Sequence, residues 1–179
     1  VPCLFFMTDA KRITNPEHVI TQLPKGSAVI IRDYDLHDRK VHADKLIKLA
    51  KKSGLMTLVA GDAELARHLK ADGLHLPEFM LWQAAANYTG FTIVTASCHT
   101  IRALKRAATL GVDAATFSPI YPTESHVGAK NKGVSYLSAI LKIPHIPNVI
   151  ALGGINAKRE RLLARLPIAG IAGISGFRT

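Results

Sequence analysis

Short apolar runs of four to six residues recur through this chain, each followed by a polar stretch with helical spacing, and that recurrence constrains the fold more than any other feature. Strands are expected at 4–8, 28–31, 57–60, 73–76, 92–97, 114–117, 149–152 and 170–174. Between them, 41–52 places Val41, Leu46, Leu49 and Ala50 near one helical face, and 101–110 repeats the pattern with Leu104, Ala107 and Ala108. Asp62 and Thr100 have the short acceptor side chains that suit helix N-caps. The segment after Phe79, with Trp82 and a short alanine run, is expected to be a helix packed into the core layer.

A weak echo supports a repeated βα unit: "KADGLHL", "LGVDAATF" and "PIAGIAGI" each bring a small or acidic pair into an apolar strand after a helix. Near-continuous apolar strands alternating with helices imply a parallel sheet buried on both faces. Eight such units favour a closed (β/α)8 TIM barrel over an open doubly wound sheet. The 179 residues are read as one small domain, 1–179, with a short or absent last helix.

Composition removes several alternatives. No apolar stretch approaches the roughly 20 residues of a membrane span. Residues 1–7 lack the charged region and cleavage site of a signal peptide, so a soluble cytoplasmic protein is expected, and the absence of an initiator Met before Val1 suggests an upstream piece removed. Cys3 and Cys98 lie in strand-like segments without paired metal spacing and read as buried, reduced thiols. The formal charge of +10 is spread along helix-like segments with few aromatics between the basic residues. That pattern reads as a solvated face with attraction for small phosphorylated ligands rather than as a nucleic-acid surface. Self-association is left open.

In a parallel barrel the loops after the strands share one rim, and that rim carries the chemistry. Gly153-Gly154 and Ser175-Gly176 follow the seventh and eighth strands, where free N–H groups and a hydroxyl suit a phosphate. With the hydroxyls of Ser97, Ser118 and Thr123 they make a candidate phosphate cradle. The loop "FSPIYPTESHVGAKNKG" adds two prolines that restrict the backbone near Ser118 and Thr123, then Lys130 and Lys132 on a stretch read as a lid. His75, inside "GLHL", alternates with apolar neighbours and reads as a group bonded under the rim rather than a base.

"LFFMTD", "ADGLHL", "SPIYPTES", "VIALGGI" and "AGIAGIS" occur in that order at the first, fourth, sixth, seventh and eighth strands. The chain thereby resembles thiamine-phosphate synthase and its TenI relatives over nearly its whole length. The resemblance implies an enzyme that joins a pyrimidine pyrophosphate to a thiazole phosphate with Mg2+ assistance, releasing pyrophosphate. It also implies that Ser97 and Thr123 contact pyrophosphate with Ser118 close by, and that Gly154 and Ser175 hold the thiazole phosphate. Arg32 matches the family's arginine after strand two, and Asp62 a magnesium aspartate after strand three.

Departures concentrate at the pyrophosphate end. The family pattern of glutamine, arginine and lysine after strand two becomes Ile30, Arg32 and Tyr34, and an Asn-Asp pair becomes Gly61-Asp62. The second magnesium aspartate falls on Met80, which cannot ligate a hard cation, leaving Glu78 as the adjacent substitute. The loop lysine falls on His126. A TenI-like thiazole tautomerase and a noncatalytic phosphate-binding barrel are the competing readings. The tautomerase's strand-six histidine position is Pro119, which argues against that chemistry.

Overall fold

The computed structural model describes residues 1–83, 88–123 and 131–175. Eight parallel strands close into a barrel in sequential order, β1 through β8. They are β1 Leu4–Met7, β2 Ala28–Ile31, β3 Met56–Ala60, β4 Gly73–Leu76, β5 Ile93–Cys98, β6 Ala114–Phe117, β7 Asn148–Leu152 and β8 Gly170–Gly173. The expected strands all form, with no end shifted by more than one residue. Outside them lie α1 Pro16–Gln22, α2 Arg39–Lys52, α3 Ala63–His68, α4 Ile101–Thr109, α5 Gly133–Ile140 and α6 Ala157–Leu163.

Local chemistry starts these helices where the rim needs them. Asn15, Asp62, Thr100 and Asn156 each accept a backbone N–H of the first turn, so both caps read from sequence form. On α2 the buried face is Ala43, Leu46, Ile47 and Ala50, whereas Val41 is largely exposed. Placing Val41 on that face was therefore wrong: two residues before Ala43, it lies about 160° around the helix from it and points away from the sheet.

The described start of the connection from β4 to β5 departs from expectation. Glu78–Trp82 forms a 3-10 turn, with Phe79 and Trp82 exposed and the Arg102 guanidinium 4.8 Å from the Trp82 ring centre. Leu81 is its one buried residue, too little apolar surface for a packed helix. The alanine run at 84–86 lies outside the described residues.

The echo before the strands now has a physical meaning. Asp72, at the entry to β4, accepts from both the backbone N–H (2.8 Å) and the hydroxyl (2.7 Å) of Thr57 on β3. Asp113, at the entry to β6, accepts from the N–H of Val94 on β5 (2.7 Å). Each acid fills a donor at the barrel floor that the parallel ladder leaves unpaired.

Register fixes which side chains face inward. Asp33 of the β2 end meets His42 of α2 at 3.2 Å, so its parity on the strand faces the helices and the parity of Ile30 faces the lumen. Followed around the ladder, the inner set includes Phe5, Met7, Ile30, Leu58, His75, Thr95, Ser97, Thr116, Ile150 and Leu152. The lumen is thus apolar over β1–β3 and β7–β8 and polar over β4–β6. Gly73 is forced by packing, since a Cβ there would lie 2.5 Å from the Ile93 carbonyl oxygen and 3.0 Å from Leu58 Cγ. Gly73→Ala is expected to lower stability by about 2 kcal/mol through overpacking, read as a shifted midpoint in chemical denaturation.

Candidate functional site

Three groups of side chains occupy the rim at the strand ends. Where β1 and β2 end, Arg32 donates from Nε to the Thr8 carbonyl (3.1 Å) and from Nη2 to Asp9 (2.8 Å). The buried Asp33 accepts from the Thr8 hydroxyl, from Ala10 N–H (2.7 Å) and from His42. These bonds frame a pocket of about 330 Å³ lined by Thr8, Asp9, Lys11, Arg32, Tyr34 and Asp35. Arg32 therefore reaches the rim already paired to Asp9. Nothing in the sequence pattern had singled out that carboxylate as its partner.

At the end of β3, Asp62 is committed locally. One carboxylate oxygen caps α3 through Leu65 N–H (2.8 Å), and the other lies 3.6 Å from Arg39 Nη1. Arg39 also donates to the Ala60 carbonyl (2.5 Å), and its guanidinium sits 5.3 Å from the Tyr34 ring centre. Tyr34 in turn lies over Gly61, where a Cβ would come within 3.1 Å of its ring. Arg39 escaped the sequence reading because its contacts come from a helix, not from a strand end.

The third group lies over β4, β5 and β6. Glu78 accepts from the N–H of His99, whose Nδ1 lies 3.1 Å from the Ser118 hydroxyl. Lys132 Nζ sits 5.2 Å from the Phe117 ring centre. Burial beside that ring pulls its pKa below the ordinary lysine value, and Glu78 partly offsets the shift. Burial, with Glu78 adding to it, pushes the Cys98 thiol up to about 12, so this cysteine is inert. Cys98 is buried as expected, but Cys3 is exposed, because it precedes β1 at the barrel floor instead of lying within the strand.

Below this group, His75 is fully buried and bonded on both ring nitrogens: Nδ1 to the Thr95 hydroxyl and Nε2 to the Ser97 hydroxyl, each at 2.8 Å. Burial, with a smaller contribution from Arg32, pushes its pKa down to about 3. The imidazole is neutral, as the reading of a group bonded under the rim requires.

Gly153 and Gly154 have left-handed backbone, φ +101° and +64°. Their first use is internal. A Cβ on Gly154 would run into the carbonyl oxygen of Pro122, and one on Gly153 would meet Pro119. The loop after β6 extends the ladder onto β7, with Ile120 N–H on the Leu152 carbonyl (3.0 Å) and Tyr121 N–H on that of Gly153 (3.1 Å). Arg159 of α6 closes the corner, donating to the Gly154 carbonyl with its guanidinium 4.7 Å from the Tyr121 ring centre.

Of the site residues read from sequence, Ser97, Ser118 and Lys132 fall on or beside the third group, while Arg32 and Asp62 stand with other partners. Ser175 is exposed beyond β8, and Thr123 is the last described residue before 124–130. His126, Lys130 and Gly176 lie outside the described residues, as does most of the stretch read as a lid.

A family model described as "Thiamine monophosphate synthase" matches residues 4–177. The chain belongs to the thiamine monophosphate synthase family. It is 33% identical over 183 residues to "Putative thiamine-phosphate synthase 2" of Aquifex aeolicus, covering 99% of this chain and 98% of that one. The "Thiamine-phosphate synthase" of Chlorobium luteolum is 31% identical, covering 97% and 84%. Among solved structures, thiamine phosphate pyrophosphorylase from Pyrococcus furiosus superposes with a TM-score of 0.77 at 22% identity, covering 97% of this chain and 85% of that one. The citrate synthase SbnG shares the fold at a TM-score of 0.64 and 13% identity.

The donors that this family's chemistry would ask to hold Mg2+ do not fit the ion here. Asp62 is divided between a helix cap and Arg39, Met80 offers no oxygen, and Glu78 is engaged by the N–H of His99. No group of three or more His, Cys, Asp or Glu suited to a metal occurs among the described residues.

The His75 shift has a consequence for acid stability. The unfolded chain takes up this proton near pH 6.5, whereas the folded chain refuses it until about 3. Stability conferred by the neutral ring is complete above 6.5 and is lost as pH falls through that window. Chemical denaturation at about pH 7 and about pH 4.5 should show a smaller acid loss for His75→Gln than for the parent. An equal loss would show that other groups carry it.

Proposed function

We propose that this protein is a transferase of thiamine biosynthesis, a divergent thiamine-phosphate synthase acting in the cytoplasm as one barrel domain on small phosphorylated substrates. The observation that carries the reading is the family match from the first strand to the last, on a barrel whose rim over β5–β8 presents hydroxyls and a lysine. The bond from the pyrimidine methylene carbon to the pyrophosphate oxygen breaks, pyrophosphate leaves with the electron pair, and the thiazole nitrogen supplies the pair for the new C–N bond. Ser97, Ser118 and Thr123, with Lys132 and Lys130, receive the departing pyrophosphate. Gly153, Gly154, Ser175 and Gly176 hold the thiazole phosphate through backbone N–H groups and the Ser175 hydroxyl. Arg32 flanks the pyrimidine end, and the protein aligns both reactants and excludes water. No step is assigned to Mg2+.

A second reading, a phosphate-binding barrel that has lost synthesis, is favoured by Ile30 in the lumen and by the commitment of Asp62 to Arg39.

Incubation with both precursors, with thiamine phosphate detected directly, should show turnover, and Arg32→Ala should reduce kcat/KM by at least about tenfold. No product from the parent, alongside saturable thiazole-phosphate binding, would replace this reading with the second one. The metal expectation is separate: calorimetric titration of the free protein with Mg2+ should show only weak binding, because the ion demands an oxygen octahedron. Tight binding abolished by Asp62→Ala would reveal a ligand set not recognised here.

A further inference from the structure

The contacts of His75 contain more than a structural anchor. A neutral imidazole has one donor and one acceptor, so its two hydroxyl partners must play opposite roles. Thr95 is fully buried, and His75 Nδ1 is its hydroxyl's one partner among the described residues. If Nδ1 carried the proton, the Thr95 hydroxyl would accept it and its own proton would be stranded in the lumen, at a cost of about 1–3 kcal/mol. With the proton on Nε2 no donor is stranded: Thr95 donates to Nδ1, and Nε2–H donates to Ser97 Oγ. Ser97 is half-buried at the open end of β5, and its hydroxyl has no other partner among the described residues.

We infer that His75 is a positioning residue, which by accepting from Thr95 and donating to Ser97 holds the Ser97 hydroxyl as a hydrogen-bond donor for an oxygen of a phosphorylated ligand at the rim. This rests on the reading that Ser97 faces pyrophosphate. The opposite tautomer would turn the Ser97 proton down onto His75 and present only lone pairs to an anion, so the relay decides whether the rim attracts or repels phosphate there. Thr95 acts two side chains away from the ligand.

Long-range 1H–15N correlation on the labelled full chain near neutral pH reads the tautomer directly. A protonated Nε2 with a bare Nδ1 is expected, both free and with inorganic pyrophosphate, and an Nδ1–H tautomer in the complex overturns the proposal even if no variant folds. Calorimetry with inorganic pyrophosphate supplies the energetic arm. Ser97→Ala and His75→Asn should each weaken binding by about tenfold or more, the worth of one hydrogen bond to a charged group. The double variant should lose no more than either single one. His75→Gln, whose amide N–H can stand in for Nε2–H, should recover most of the affinity. If Ser97→Ala binds like the parent, the placement of pyrophosphate on Ser97 fails and the relay's role fails with it. If Ser97→Ala weakens binding but His75→Asn adds its own loss on top, the placement stands and the role given to His75 is overturned.

Discussion

The pairing of β8 with β1 is the constraint from which the rest follows. Leu4 faces Ile171 and Phe5 faces Ala172 in register, and Ile171 N–H reaches the Cys3 carbonyl at 2.9 Å. The strands approach so closely at the floor that a Cβ on Gly170 would collide with the backbone of Cys3. Closure leaves no free edge and removes freedom of register, because a slip of one residue anywhere would turn an inner set of side chains outward. His75, Thr95 and Ser97 face the lumen together only because eight registers add up consistently.

A lumen that is half apolar and half polar sets the energetic terms of the site. Phe5, Met7, Ile30 and Leu58 supply the hydrophobic share, and the polar wall is tolerable because its ring nitrogens and hydroxyls bond to one another. The same low-polarity surroundings that keep His75 neutral make a correctly aimed hydroxyl worth more than it would be in water. On the opposite side of the rim, charges are matched before any ligand arrives: Arg32 to Asp9, Arg39 to Asp62. The two sides therefore differ in kind, one electrostatically settled and the other with donors to give.

How much of this was readable in advance depends on range. Strand positions were legible because a parallel sheet buried on both faces writes itself as continuous apolar runs, and the caps at Asp62 and Thr100 were legible because they act over three residues. Of the helix expected after Phe79, the described part is a 3-10 turn, since the aromatic residues there lie on the surface and Trp82 meets Arg102 instead of the core. Family resemblance put Arg32 after the second strand and Asp62 after the third, where the fold has them, but not their partners. Arg39 and Asp9 lie 23 positions from Asp62 and from Arg32 respectively, and only the fold brings those charges together. His75 lay between these cases: alternation placed it inside, while the direction of its hydrogen bonds required Thr95 and Ser97 in space.

The seam between the loops after β6 and β7 carries an implication for how this protein can change. Pro119 occupies the space that a side chain at 153 would need, Tyr121 and Pro122 that of one at 154, and Arg159 bonds to one loop while stacking on the other. Neither loop has a shape of its own apart from its neighbour. Grafting 119–123 from a longer relative without also grafting 153–159 would set a new backbone against an old mould, so the two segments are inherited as one piece, and variation in one is admissible only when the other varies with it.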